Sequence, residues 1–331
     1  MGITISLGIS PRESFTDWIG FAQALEERGV DRVWLIDSQL AMKDVYTGLV
    51  TAALHTRRMQ LGTGVTNLVT RHPTVTANAI AAVSELSGGR ALLGLGAGDS
   101  AVFGIGKRPS RVAETEQAIR FFQMVLAGDE GQWDGRTYRL PVATVPVKVY
   151  LAVSQPRMCA LAGRLADGAI IMGPAQPDLL ARQVEWVQQG IEEAGRDRSE
   201  VEVCFIATIS TADDPGTALN DVRAWATGQA RLLADFKELP DSLRPFAREI
   251  DRAKQTYDYS QHLSTHAGHA GAISDELVRA LAVTGSPQEC RDRLRALLST
   301  GIDDLVFPLM GSGRLERLDR LATEIAPALQ I

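Results

Sequence analysis

Strand-length apolar runs alternate with helix-length amphipathic stretches eight times along this 331-residue chain, and that beat constrains its fold more than any other feature. The strands read as Ile3–Ile9, Arg32–Ile36, Gln60–Val65, Ala91–Leu95, Val147–Val153, Ala169–Met172, Glu202–Ile209 and Leu305–Leu309. Between them lie helical patterns such as Ser14–Arg28, Pro73–Ser87 and the Val112, Ile119, Phe122, Leu126 face. A doubly wound sheet usually stops at five or six such units, whereas a (β/α)8 TIM barrel needs eight in about 250 residues. The fold class predicted is α/β, a single TIM-barrel domain over residues 1–331. The surplus length goes to two insertions near the barrel mouth, 129–146 and 232–273. The first reads as irregular. The second reads as a helical insertion whose polar, glycine-punctuated sequence offers little core of its own, and it is expected to be the most mobile part of the chain.

Two consecutive strands end in glycine-rich runs, Leu61-Gly-Thr-Gly64-Val65-Thr66-Asn67 and Leu93-Gly-Leu-Gly96-Ala-Gly98-Asp99. In a barrel the C-terminal strand ends carry the chemistry, and glycine lets backbone approach a ligand closely. The second run is spaced G-x-G-x-G, with no acidic residue about 20 positions on, so it is a poor dinucleotide fingerprint. Asp99, directly after it, faces the mouth as a candidate catalytic carboxylate. Asp37, one residue past strand two, is placed at the solvent-facing strand end. It serves either as a hydrogen-bond partner for a cofactor ring or as an ordinary turn or cap residue. Ser154 and Gln155 precede Pro156 at a helix start, and Gly173 follows strand six; these form an anion site or simple caps.

A net charge of −6 argues against nucleic-acid or anionic-membrane partners. Cys159, Cys204 and Cys290 are widely spaced and read as free thiols in a reducing cytoplasm. No apolar run reaches 18 residues and the N-terminus has no export pattern, so nothing is expected to span a membrane or be exported. His262, His266 and His269 invite a zinc reading, but nearby Gly268 and Gly271 favour a surface or hinge role, and no metal is expected.

Trp34-Leu-Ile-Asp37, Gly62-Thr-Gly-Val-Thr-Asn67, His72-Pro73, Leu86-Ser-Gly-Gly-Arg90, the Gly94–Asp99 run, Ala166-Asp-Gly168 and Gly285-Ser-Pro287 together resemble the bacterial-luciferase-like flavin and deazaflavin oxidoreductases, most closely their methylenetetrahydromethanopterin reductase branch. The resemblance implies a cofactor ring lying over a bulge that carries a non-prolyl cis peptide, here Gly64–Val65. The ring edge would meet Asp37, Thr66 and Asn67, and the phosphate would lie near Gly96, Gly98, Ser154, Gln155 and Gly173. Two positions depart from the branch. Ser38 stands where many relatives carry histidine, and Gly8 stands where the methanopterin reductases carry a strand-one glutamate.

The implied activity is coenzyme F420-dependent hydride transfer to or from an activated C=C or C=N bond of a small molecule, with Asp99 or a substrate group handling the proton. The alternative is an FMN-dependent monooxygenase. A third reading is a binding protein that has lost its cofactor, against which the intact glycine motifs and Asp37 count. A cytoplasmic homo-oligomer, a dimer, is expected.

Overall fold

The computed structural model describes residues 2–141, 145–212, 214–257, 271–309 and 313–329. In chain order the elements begin β1 (Ile3–Leu7), α1 (Phe15–Glu27), β2 (Val30–Leu35), α2 (Val45–His55), β3 (Gln60–Thr63), β4 (Thr66–Asn67), α3 (Pro73–Ser87), β5 (Ala91–Gly96), α4 (Ser100–Phe103) and α5 (Val112–Leu126). There follow β6 (Glu130–Trp133), β7 (Arg136–Arg139), β8 (Lys148–Val153), α6 (Pro156–Leu165), β9 (Gly168–Ile171), α7 (Pro177–Glu193), β10 (Glu202–Ile206), β11 (Ile209–Ser210), α8 (Pro215–Leu233) and α9 (Ala247–Thr256). The last are α10 (Asp275–Leu281), β12 (Val283–Thr284), α11 (Pro287–Leu298), β13 (Asp304–Pro308) and α12 (Arg314–Arg320), the latter running into a π-turn over Leu321–Ile325 and a final turn, Ala326–Leu329.

The main sheet runs β3-β2-β1-β13-β10-β9-β8-β5-β4, and β3 also pairs with β5, so the strands close into a (β/α)8 barrel. Backbone contacts group the chain into two compact units, one of Gly2–Ile170 with Trp186–Glu202 and another of Ile171–Glu185 with Val203–Ile331. No helix among the described residues is long and apolar enough to cross a membrane.

In the first unit the helices start and stop where local chemistry dictates. Ser14 and Asp17 form a capping box on α1, Asp44 caps α2, and His72 with Pro73 opens α3. Arg90 closes the other end. Its guanidinium donates to the carbonyls of Ala53 (3.0 Å), Thr56 (2.9 Å), Met59 (2.6 Å) and Ser87 (2.8 Å). These include orphan carbonyls at the C-termini of α2 and α3, so one cation satisfies two helix ends. At the strand-start end of the barrel, Arg32 pairs with Glu202 at 3.0 Å and with Gln60 at 2.8 Å. Its guanidinium lies over the rings of Trp34 (5.8 Å) and Tyr150 (5.7 Å), whose own rings meet edge to face at 5.2 Å.

Two insertion readings need correction. The first part of 129–146 is not irregular, because β6 and β7 form an antiparallel hairpin in which Trp133 opposes Arg136. The intervening Asp134 and Gly135 have φ of 48° and 71°, the doubly positive turn that Asp-Gly favours between strands. Gly131, Trp133 and Tyr138 pack this hairpin on Phe121 of α5, and Tyr138 also meets the ring of His72. The described part of the second insertion is helical as expected, and its apolar residues join a core shared with neighbouring helices. Leu243, Ile250 and Ala253 are buried with Leu219, Val222 and Leu233 of α8 and Leu277 and Leu281 of α10. The amphipathic spacing in 243–253 was masked by its many charges. β11 and β12, a two-residue parallel pair of the second unit, leave no periodic signal at that length. His262, His266 and His269 lie outside the described residues.

Two stability measurements follow. Replacing Arg90 by Met removes charge-assisted bonds to several helix-end carbonyls and is expected to cost about 2–3 kcal/mol in urea unfolding. A loss under about 0.5 kcal/mol, the size of an ordinary surface substitution, would show that water replaces the guanidinium. Ile250→Ala should cost about 2–5 kcal/mol if the second insertion is packed, and almost nothing if it is not.

Candidate active site

Asp37 lies two residues past β2, but it is not solvent-facing as the sequence suggested: its side chain is 2% exposed. Arg71 reaches back over it. Oδ2 of Asp37 accepts from Nη1 of Arg71 at 2.5 Å and from Oγ1 of Thr66 at 2.7 Å. The other guanidinium edge binds Oδ2 of Asp44 at 3.2 Å, and the group sits 5.1 Å from the ring centre of Tyr46. Arg71 is delivered by local chemistry. Oδ1 of Asn67 accepts from the amides of Val69 and Thr70, each at 2.9 Å, an Asx turn that reverses the chain after β4. Asn67 is therefore a turn-maker in the protein itself.

The electrostatics follow from that burial. Burial opposes the charge on Arg71, yet the hydrogen bond and negative charge of Asp37 outweigh it and raise its pKa. Burial likewise opposes the charge of Asp44, but the Thr47 amide and hydroxyl and Arg71 lower its pKa overall. The phenol of Tyr46 moves up, first through burial and then through the nearby charge of Asp37.

The peptide between Gly64 and Val65 is cis, as expected, and the Gly64 amide donates to the Leu35 carbonyl at 2.6 Å. The glycines beside it make room for the chain's own side chains. A Cβ on Gly64 would lie 2.5 Å from Cβ of Trp34, and one on Gly96 would lie 2.7 Å from Cγ2 of Val65. Gly98, at φ 104°, adopts a backbone that L side chains rarely take. Asp99 follows it, half-buried, and its carbonyl accepts from the amides of Val102 and Phe103 at the head of α4. The loop after β2 is tied to this one: Ser38 Oγ lies 3.3 Å from Ser100 Oγ, and Gln39 Nε2 donates to the Ala101 carbonyl at 2.8 Å.

On the next strand, β8, Ser154 and Gln155 lead into α6, with Pro156 in its first turn. Gln155 holds the cap position without a side-chain cap bond, and its carbonyl accepts from Met158 and Cys159. Asp37, Gly64, Val65, Thr66, Asn67, Gly96, Gly98, Asp99, Ser154 and Gln155 thus share the C-terminal ends of neighbouring strands in the first unit. Gly173 belongs to the second unit, where its carbonyl accepts from Nε2 of buried Gln229 at 2.8 Å. Sequence reasoning missed Arg71 as a site residue, although it stands directly before the His72-Pro73 helix start.

The family model described as luciferase-like monooxygenase matches residues 3–304. The chain belongs to that family. It is 29% identical over 314 residues to the 5,10-methylenetetrahydromethanopterin reductase of Methanolobus tindarius, covering 92% of this chain and 93% of that one. It is 26% identical to the F420-dependent glucose-6-phosphate dehydrogenase of Kineococcus radiotolerans, covering 94% and 92%. The solved coenzyme F420-dependent tetrahydromethanopterin reductase of Methanopyrus kandleri superposes with a TM-score of 0.78 at 21% identity, covering 99% of each chain. That likeness concerns the fold.

Position 8 of this luciferase-like chain has a clear steric setting. A Cβ on Gly8 would meet Sδ of Met42 at 1.9 Å, so the thioether holds the space a strand-one side chain would take.

The raised phenol gives a pH prediction. In the unfolded chain Tyr46 ionises near pH 10, whereas in the fold it stays neutral to higher pH. Its contribution is therefore complete below about pH 10 and is lost as pH rises toward the folded value. Denaturant midpoints measured from pH 8 to 11 should fall less steeply for Tyr46→Phe than for the wild type. Parallel profiles would remove Tyr46 from the alkaline transition.

Proposed function

We propose that this chain is a coenzyme F420-dependent oxidoreductase that moves a hydride to or from an activated C=C or C=N bond of a small molecule. The observation that carries the reading is the Asp37 carboxylate, fixed on one oxygen beside the Gly64–Val65 bulge, in a chain whose length-wide relatives include enzymes named for F420. The residues fit such a cofactor. Among the described residues Asp37 Oδ1 receives no hydrogen bond, so it offers an acceptor to a ring N–H. The start of α6, with Ser154 before it and Pro156 in its first turn, turns the positive end of a helix dipole toward the strand ends, where it would favour a phosphate. Gly96 and Gly98 belong to the adjoining strand end.

When bound, F420 supplies hydride chemistry from a ring with carbon at position five, which does not activate oxygen. The chain contributes placement. Asp37, Thr66 and the Gly64–Val65 segment would hold the ring, and holding the acceptor close to it would be worth several kcal/mol of barrier. Asp99 is the candidate to move a proton at its carboxylate. No strand-one carboxylate is present to do so, since position 8 is glycine and Met42 fills its surroundings. A substrate different from methylenetetrahydromethanopterin follows from that change. The cytoplasm and a dimeric state belong to the same proposal.

The family's description as monooxygenase favours a second reading, with FMN and oxygen. One experiment separates them. With F420 at 100 times its dissociation constant, thermal stability should rise by the equivalent of about 2.7 kcal/mol. The reduced complex should then turn over anaerobically with an unsaturated acceptor, without oxygen uptake. Stabilisation by FMN and not by F420, with one oxygen consumed per turnover, would reverse the assignment.

A further inference from the structure

We propose that Arg71 is the positioning residue of this site: it holds Asp37 so that one oxygen alone, Oδ1, is presented to a ring N–H of the bound cofactor. The proposal rests on the F420 reading above and names a residue whose role that reading leaves open.

Three observations support it. Both internal donors, Nη1 of Arg71 and Oγ1 of Thr66, converge on the same oxygen, Oδ2. A guanidinium has donors only, so Asp37 acts toward it as an acceptor, and the orientation of the carboxylate is decided by the protein before any ligand arrives. Next, Arg71 is itself fixed from three sides, by Asp37, by Asp44 at 3.2 Å and by the face of Tyr46 at 5.1 Å. A planar fork can satisfy two carboxylates through separate nitrogens while stacking on a ring, which the compact ammonium of lysine does not reproduce. Last, Thr66 joins Asp37 directly to the chain that follows the Gly64–Val65 bulge, and the Asx turn at Asn67 carries that chain on to Arg71. The acceptor oxygen, the bulge and the cation are one connected piece of backbone and side chain. A 1 Å error in the acceptor is enough to spoil a ring contact, and Arg71 is the group placed to prevent it.

The test is a double-mutant cycle read by binding. F420 is titrated against the full chain by fluorescence and absorbance, for wild type, Arg71→Met, Asp37→Asn and the double variant, with the unfolding midpoint of each ligand-free protein recorded. Arg71→Met and Asp37→Asn should each weaken binding about tenfold or more and shift the bound cofactor's absorption maximum. The double variant should bind no more weakly than Asp37→Asn alone, because Arg71 acts through Asp37. Arg71→Lys should fail to restore the wild-type spectrum, and it serves as the comparison should the Met variant not fold. Multiplying losses in the double variant, or Arg71→Met and Arg71→Lys proteins with wild-type affinity and spectrum, would overturn the positioning role while leaving F420 binding in place. A wild-type chain that does not bind F420 would overturn the cofactor reading and this proposal with it.

Discussion

The indole of Trp34 is the constraint on which the rest of the barrel wall depends. It lies fully buried, edge to face with Tyr150, and under the guanidinium of Arg32. A Cβ on Gly62 would fall 2.3 Å from its ring, and one on Gly94 only 2.1 Å from the Thr63 carbonyl. β3 and β5 can therefore lie beside this side chain only as glycine-bearing strands. Thr63 tightens the same seam, its hydroxyl donating to the Gly94 carbonyl at 2.8 Å and accepting from the Gly94 amide at 3.0 Å. The glycine motif is first a packing device, and the strand ends above it inherit their geometry from it.

Charge is handled differently at the two ends of the first unit. At the strand starts, Arg32 binds Glu202 and Gln60, and Glu202 also accepts from Tyr150, a polar network of the kind that specifies packing. At the strand ends, Asp37 and Arg71 are also paired, but the pair leaves one carboxylate oxygen without a partner among the described residues. A buried ion pair contributes little net stability against an apolar replacement, while losing one partner is costly. Its retention here fits a site that needs a fixed acceptor more than it needs stability.

Position 8, directly past β1, is a packing point rather than a place for a side chain. With glycine there, Met42 brings a flexible, polarizable thioether against the strand end.

The eight-fold beat was legible in the sequence because strand and helix periods differ and each apolar face must be buried locally; Pro73–Ser87 was read without error for that reason, with Pro at its start and glycine at its end. The Gly64–Val65 peptide was legible only through the family's motif. The Asp134-Gly135 hairpin was present as a turn signal and overlooked, and the core around Leu243 and Ile250 was hidden under charges. Asp37 was found, but its burial was not, since burial depends on Arg71, 34 residues away, being returned by the Asx turn at Asn67. Met42 against Gly8 is of the same kind. Local periodicity and capping settled which elements form, because their energetics act between residues a few positions apart. Tertiary structure alone decided which oxygen of Asp37 is held and which wall Met42 fills, because those contacts join loops that the sequence keeps apart and only the closed barrel brings together.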